Sequence, residues 1–210
     1  SAAIYGEPQT VPVDEGHPKV PVNAYGESKL ICERILKWYR RAYGFEFVAL
    51  RYFNAAGASE HFGEDHSPET HLIPKVLKVA LGNSHPVTIF GTDYSTRDGS
   101  CVRDYVHVMD IARAHVLALE KLKDLSGRAY NLGSGEGYSV IEVVEMARKV
   151  TGVDIPAETC PRRPGDPAVL VASSDLAREE LGWKPEYEEL ESIIRSSWRW
   201  MREHPDGYSH

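Results

Sequence analysis

Residues 45–54, "FEFVALRYFN", constrain the fold of this 210-residue chain more than any other stretch. Residues 47–50 are continuously apolar. A strand without polar alternation is one covered on both faces, as in a parallel sheet flanked by helices. The preceding segment agrees. From about residue 23 to residue 42, Ile31, Ile35, Trp38 and Ala42 fall on one stripe and predict a helix, with Gly44 where a C-terminal cap belongs. A helix that leads into a buried strand is the signature of an α/β protein.

The alternation continues along the chain. Pro8, Pro12, Pro18 and Pro21 make residues 7–22 an extended loop. "HFGEDHSPET" (61–70) is polar and turn-rich, and "HLIPKVLKVALG" after it reads as a short helix stopped by Gly82. "PVTIFG" is a short strand, and residues 92–105 form a polar loop into the strand "YVHVMD". Asp110 is expected to cap a helix over residues 111 to about 123. "AYNLGSGEG" reads as a strand and a Gly-rich turn. Ser139 and Glu142 have the spacing of a capping box for the next helix. A Pro-rich basic loop (160–173) and two helices close the chain, the last stopped by Pro205.

Composition narrows the partners. The net charge is −7, and no Lys/Arg-rich run stands out, so nucleic acid and anionic membranes are poor partners. No apolar stretch reaches membrane-span length. Three scattered cysteines, Cys32, Cys101 and Cys160, argue against a disulfide scaffold or zinc site and fit a reducing cytoplasm. An anionic ligand would need local arginines to overcome the general field.

The first candidate chemistry lies in "NAYGESK" (23–29). Tyr25 and Lys29 are four residues apart and share a helical face. A cation beside a phenol favours the phenolate, so the pair can act as a general base or acid. The same spacing also arises on any solvated helix. The surrounding segments weigh on the question. "SAAIYGE", "NAYGESK" and "LRYFNAAG" together resemble the extended branch of the short-chain dehydrogenase/reductase superfamily. "HLIP", "IFGTDYSTRDGSCVRDYVHVMDIARAH", "YNLGSGEGYSV" and "PRRPGDPAVLVAS…LGWKP", in that order, resemble UDP-glucose 4-epimerases over essentially the whole chain.

That resemblance implies a fold, a reaction and a set of roles. The fold is the C-terminal part of a Rossmann-like doubly wound parallel sheet plus a smaller α/β substrate-binding domain. Residues 1–57 would belong to the NAD-binding domain and 58–210 to the UDP-sugar domain, with 103–135 packing back on the former. The reaction is NAD-dependent interconversion of UDP-glucose and UDP-galactose through a 4-keto sugar, in a cytoplasmic homodimer. Ser1 would hydrogen-bond the 4-oxygen, and Tyr25 would take the 4-hydroxyl proton. Lys29 would hold the nicotinamide ribose and favour the Tyr25 phenolate, with Phe53 near the nicotinamide. Asn54 would bind the nucleotide sugar, Leu72, Thr88 and Phe90 would line the uracil site, and Tyr105 would border it. Arg103 and Arg163 would grip the diphosphate with planar forks of donors, and Asp166 would accept from a ribose hydroxyl.

Three departures from the pattern carry consequences. His71 stands where relatives place Asn against the uridine diphosphate, which makes that contact dependent on pH. Leu170 stands where some relatives carry Tyr beside the sugar's 2-substituent, which implies room for UDP-N-acetylhexosamines. No G-x-x-G-x-x-G loop is present, and "GSGEG" (133–137) does not replace it, because it follows a late strand and lacks the following βαβ unit. The chain therefore resembles the C-terminal two-thirds of an epimerase, which by itself is expected neither to bind NAD tightly nor to turn over. Two alternatives stay open. One is another nucleotide-sugar enzyme on this scaffold, such as a 4,6-dehydratase or decarboxylase, although Ala2 and Ala3 after Ser1 cannot move a proton. The other is a non-catalytic UDP-sugar-binding module.

Overall fold

The computed structural model describes residues 1–82 and 85–208. After a short 3-10 turn at Ala2–Ile4 and the extended loop come α1 (Ala24–Tyr43), β1 (Ala49–Tyr52) and β2 (Asn54–Ala56). Then follow α2 (Leu72–Ala80), β3 (Val87–Phe90), β4 (Val102–Arg103), β5 (Tyr105–His107) and α3 (Val108–Glu120). The last part holds β6 (Ala129–Leu132), β7 (Tyr138–Ser139), α4 (Val140–Thr151), β8 (Ala157–Cys160), β9 (Val169–Leu170), a π-helical turn at Ala177–Leu181 and α5 (Leu190–Glu203). The pairings β1–β6, β2–β5 and β3–β8 are all parallel. In the remaining sheet β4 lies between β7, antiparallel, and β9, parallel. The protein is α/β with parallel sheets.

Local chemistry explains the element ends. Asn23 caps α1 by accepting from the Gly26 amide at 2.8 Å, and Gly44 closes it in the left-handed region at φ 67°. Ser139 and Glu142 form the expected capping box of α4. The expected cap of α3 is corrected. The helix starts three residues earlier, at Val108, and its cap is His107, whose Nδ1 accepts from the Met109 amide at 3.1 Å. Asp110 lies instead in the buried first turn, where its carboxylate accepts from the Glu186 and Tyr187 amides at 2.9 and 3.0 Å. The strand read over residues 45–54 is also shorter, because pairing with β6 begins at Ala49.

Three clusters form the core. One joins β1, α3, β6 and the π-helical turn, with Trp183 fully buried in it. Residues 106–132 thus share a core with β1. A second packs α2, α4 and α5 around Leu77, Ile155 and Ile194. A third, small cluster holds Ala2, Ile4, Tyr5, Val13, Leu30, Phe53 and Ala172, with Leu170 packed against it. The apolar stripe on α1 does not face the sheet. Ile31, Ile35 and Trp38 are exposed, and α1 buries Gly26, Leu30 and Glu33 instead.

Candidate functional site

The start of α1 sits on the segment that follows Ser1. A Cβ on Gly26 would stand 2.3 Å from the Ala3 carbonyl oxygen and 3.1 Å from Pro21, so only glycine permits this approach. The residue after Tyr25 therefore fixes the first turn of α1 against the 3-10 turn, which Ser1 opens by accepting from the Ala3 amide at 3.3 Å. Tyr25 is exposed, and the Lys29 Nζ lies 5.2 Å from the centre of its ring. Behind them, Leu30 and Phe53 are buried in the small cluster with Ala2.

A buried polar network orients α1. Arg51 of β1 donates to both carboxylate oxygens of Glu33 at 2.8 and 2.7 Å, and to the Tyr5 hydroxyl at 2.8 Å. Tyr5 in turn donates to Asn131 Oδ1 at 2.6 Å. Burial opposes the Glu33 charge, but the Arg51 hydrogen bonds and charge hold its carboxyl below the ordinary value. Burial pushes the Tyr5 phenol up to about 12, against the pull of Arg51.

A cleft of about 640 Å³ opens beside β2, β3, β4 and α2. It is lined by Asn54, His71, Leu72, Thr88, Phe90, Arg103, Tyr105, Arg163 and Asp166, which brings nine of the sequence-predicted residues to one place. Ser1, Tyr25, Lys29, Phe53 and Leu170 are not part of the lining. Leu170 is nevertheless adjacent, since it pairs with Arg103 in register and packs against the small cluster. Asn54 is anchored through its side-chain amide, which donates to the Asp104 carbonyl at 2.9 Å. Burial pushes the Tyr105 phenol far up, so it stays neutral.

The cationic end of the cleft is built around Asp166. Arg163 Nε donates to it at 3.1 Å, and Arg103 NH2 lies 3.8 Å from its other oxygen. Arg103 is held more firmly by the carbonyls of Val102 and Pro167, at 2.9 and 2.7 Å. The Arg163 guanidinium lies 4.5 Å from the centre of the Phe90 ring. The guanidinium thus covers the face of Phe90, a ring that the resemblance assigns to the uracil site. Sequence reasoning missed Lys75 and Lys78, which also line the cleft. Their i,i+3 spacing within "HLIPKVLK" was the available signal, since it places both on one helical face.

The Gly-rich turn at 133–137 serves a different anion from a phosphate. The amides of Ser134, Gly135 and Ala172 donate to the buried Asp104 carboxylate at 2.8, 3.1 and 3.0 Å, and the Ser134 hydroxyl adds a fourth bond at 2.8 Å. Burial pushes the Asp104 carboxyl up, and these donors hold it back. A Cβ on Gly133 would stand 2.4 Å from Asp104 Oδ2. The turn is thus closed around a carboxylate of the protein's own.

Residues 1–196 match the GDP-mannose 4,6 dehydratase family. The chain belongs to that family. It is 57% identical to a UDP-glucose 4-epimerase of Halalkalibacterium halodurans, an alignment that covers 100% of this chain and 64% of that protein. It is also similar to the solved UDP-glucose 4-epimerase of Bifidobacterium longum in complex with NAD+ and UDP, with a TM-score of 0.93 at 42% identity over 99% of this chain and 63% of that one. The UDP-Glc/GlcNAc 4-epimerase of Campylobacter jejuni matches with a TM-score of 0.79 at 43% identity, over 96% of this chain and 62% of that one. The chain spans about 64% of the length of such curated relatives.

Proposed function

We propose that this chain supplies the proton-transfer and nucleotide-sugar-binding parts of a UDP-glucose 4-epimerase. The carrying observation is the cleft itself. An aromatic ring, two arginines and a carboxylate converge at one end of it, and its Asn54 wall adjoins Phe53, which is buried against Ala2 and Leu30. A diphosphate held at Arg103 and Arg163 places the binding energy away from the reacting carbon, so the sugar can be gripped loosely and turn over. Ser1 holds the 4-oxygen, and Tyr25 takes the 4-hydroxyl proton and returns it. A phenol hydroxyl and an ammonium on one exposed helical turn form a donor set that suits ribose hydroxyls, so Tyr25 and Lys29 would hold NAD, with Phe53 beside them. NAD held there would supply a hydride acceptor and donor for C4 of the sugar. The exposed stripe of Ile31, Ile35 and Trp38 would pair with a second copy in a homodimer, and the unpaired Cys32, Cys101 and Cys160 fit a reducing cytoplasm. Leu170, at the edge of the cleft, leaves room for an N-acetyl group at C2.

The family's name favours a second reading, a 4,6-dehydratase acting on a guanosine diphosphate sugar. Elimination needs an acid–base pair near the reacting sugar, and the residues after Ser1 are Ala2 and Ala3. Calorimetry separates the two on the chain as it stands. UDP should bind at least tenfold more tightly than GDP, and Arg103→Ala should weaken UDP by about 10- to 100-fold, the worth of a charged hydrogen bond of about 1.5–3 kcal/mol. Equal binding of GDP, or UDP binding indifferent to Arg103, would remove the epimerase reading.

A further inference from the structure

The loop before α2 gathers two imidazoles and two carboxylates. One ligand atom from each of Glu64, His66, Glu69 and His71 lies within 4.8 Å of every other. A tetrahedral ion bound at about 2.0–2.2 Å sets its ligands about 3.4 Å apart, so a small contraction of this loop would complete the shell.

The carboxylate at the centre is fixed in advance. Glu69 Oε1 accepts from the Thr70 and His71 amides, both at 2.7 Å, and its side chain is only 6% exposed. His71 Nδ1 lies 2.9 Å from the same oxygen and 3.9 Å from Glu64. The His66 and His71 rings are 5.4 Å apart at a 43° tilt, a spacing at which one ion can reach a nitrogen of each. Charge points the same way. No lysine or arginine pairs with Glu64 or Glu69 among the described residues, and two carboxylates with two neutral imidazoles balance one dication.

We propose that Glu64, His66, Glu69 and His71 form a site for a first-row transition dication, with Zn2+ the ion the donors fit best. Two imidazole nitrogens select against Mg2+ and Ca2+, and four mixed nitrogen and oxygen donors suit a tetrahedral ion. On binding, His71 would carry its hydrogen on Nε2, a change of tautomer with no net loss of a proton, and Nδ1 would ligate the metal. Glu69 and His71 also line the cleft, so the ion would pin the His71 ring at its rim. The inference rests on this geometry and not on the nucleotide-sugar reading.

The test titrates the 210-residue chain with Zn2+ by calorimetry and with Co2+ by visible absorption. One Zn2+ should bind at least tenfold more tightly than to His66→Ala, and Co2+ should show the intense bands of a tetrahedral site. His66 is exposed, so the variant should keep its far-ultraviolet circular dichroism; Glu64→Gln, also at an exposed residue, provides a second comparison. Wild-type affinity in both variants, or a Co2+ spectrum no stronger than that of the aquo ion, would overturn the proposal.

Discussion

His107 is held in one tautomer by its neighbours. Its Nδ1 accepts from the Met109 amide at the start of α3. Its Nε2 lies 3.0 Å from Ser196 Oγ, whose own proton goes to the Ile193 carbonyl at 2.8 Å. Nε2 must therefore carry the hydrogen, and the ring is neutral. Burial lowers its pKa, with nearby Asp110 pulling the other way. A depressed folded pKa means that the unfolded chain binds the proton first. Stability from His107 is present above its unfolded pKa of about 6.5 and is lost as pH falls below it. His107→Asn keeps a side-chain cap but removes the titration. Denaturant unfolding between pH 7 and pH 5 should show a shallower loss of stability in that variant than in wild type.

At the scale of an element, α1 shows what pattern reading can and cannot see. Its limits were legible because Asn23 and Gly44 announce themselves chemically. Its buried face was not. The apolar stripe at Ile31, Ile35 and Trp38 turns outward, and the inward stripe is Gly26, Leu30 and Glu33. A hydrophobic count gives a glycine and a glutamate to solvent. Only the partner shows why they are inside: Gly26 admits the Ala3 backbone, and Glu33 meets Arg51, a charge placed in the middle of an apolar strand. The same blindness moved the cap of α3 from His107 to Asp110, because an aspartate is the stronger local signal. Removing one member of a buried ion pair costs about 3–5 kcal/mol, because the other charge is left unpaired. Glu33→Gln should lower the unfolding free energy by roughly that amount. A loss below about 1 kcal/mol, the worth of an exposed pair, would show that water reaches Arg51.

The cleft belongs to the whole molecule, since its walls come from residues 54 to 166. The polar segments that build it could be singled out in the sequence only through the resemblance of "VRDY" and "PRRPGD" to the epimerase pattern, because an arginine in a turn is otherwise an ordinary surface group. Their relation could not. Nothing in the order of residues says that Arg163 lies on the face of Phe90, or that Asp166 stands between two arginines. That arrangement makes a test available to the intact chain. The Arg163–Asp166 pair is half-exposed on the Arg163 side, and such pairs are worth about 0–1 kcal/mol, so the guanidinium can swing off the ring cheaply. On the proposed reading it swings towards the diphosphate and leaves Phe90 to the uracil. Arg163→Ala should then weaken UDP by about 10- to 100-fold, the range for a charged hydrogen bond of about 1.5–3 kcal/mol. Uridine has no phosphate to lose and no guanidinium to displace, so it should bind the variant as well as or better than wild type. Opposite responses of the two ligands in parallel titrations would support separate base and phosphate roles. A matching loss for uridine would mean that Arg163 itself holds the base, and Phe90 would then be a core residue and not a stacking platform.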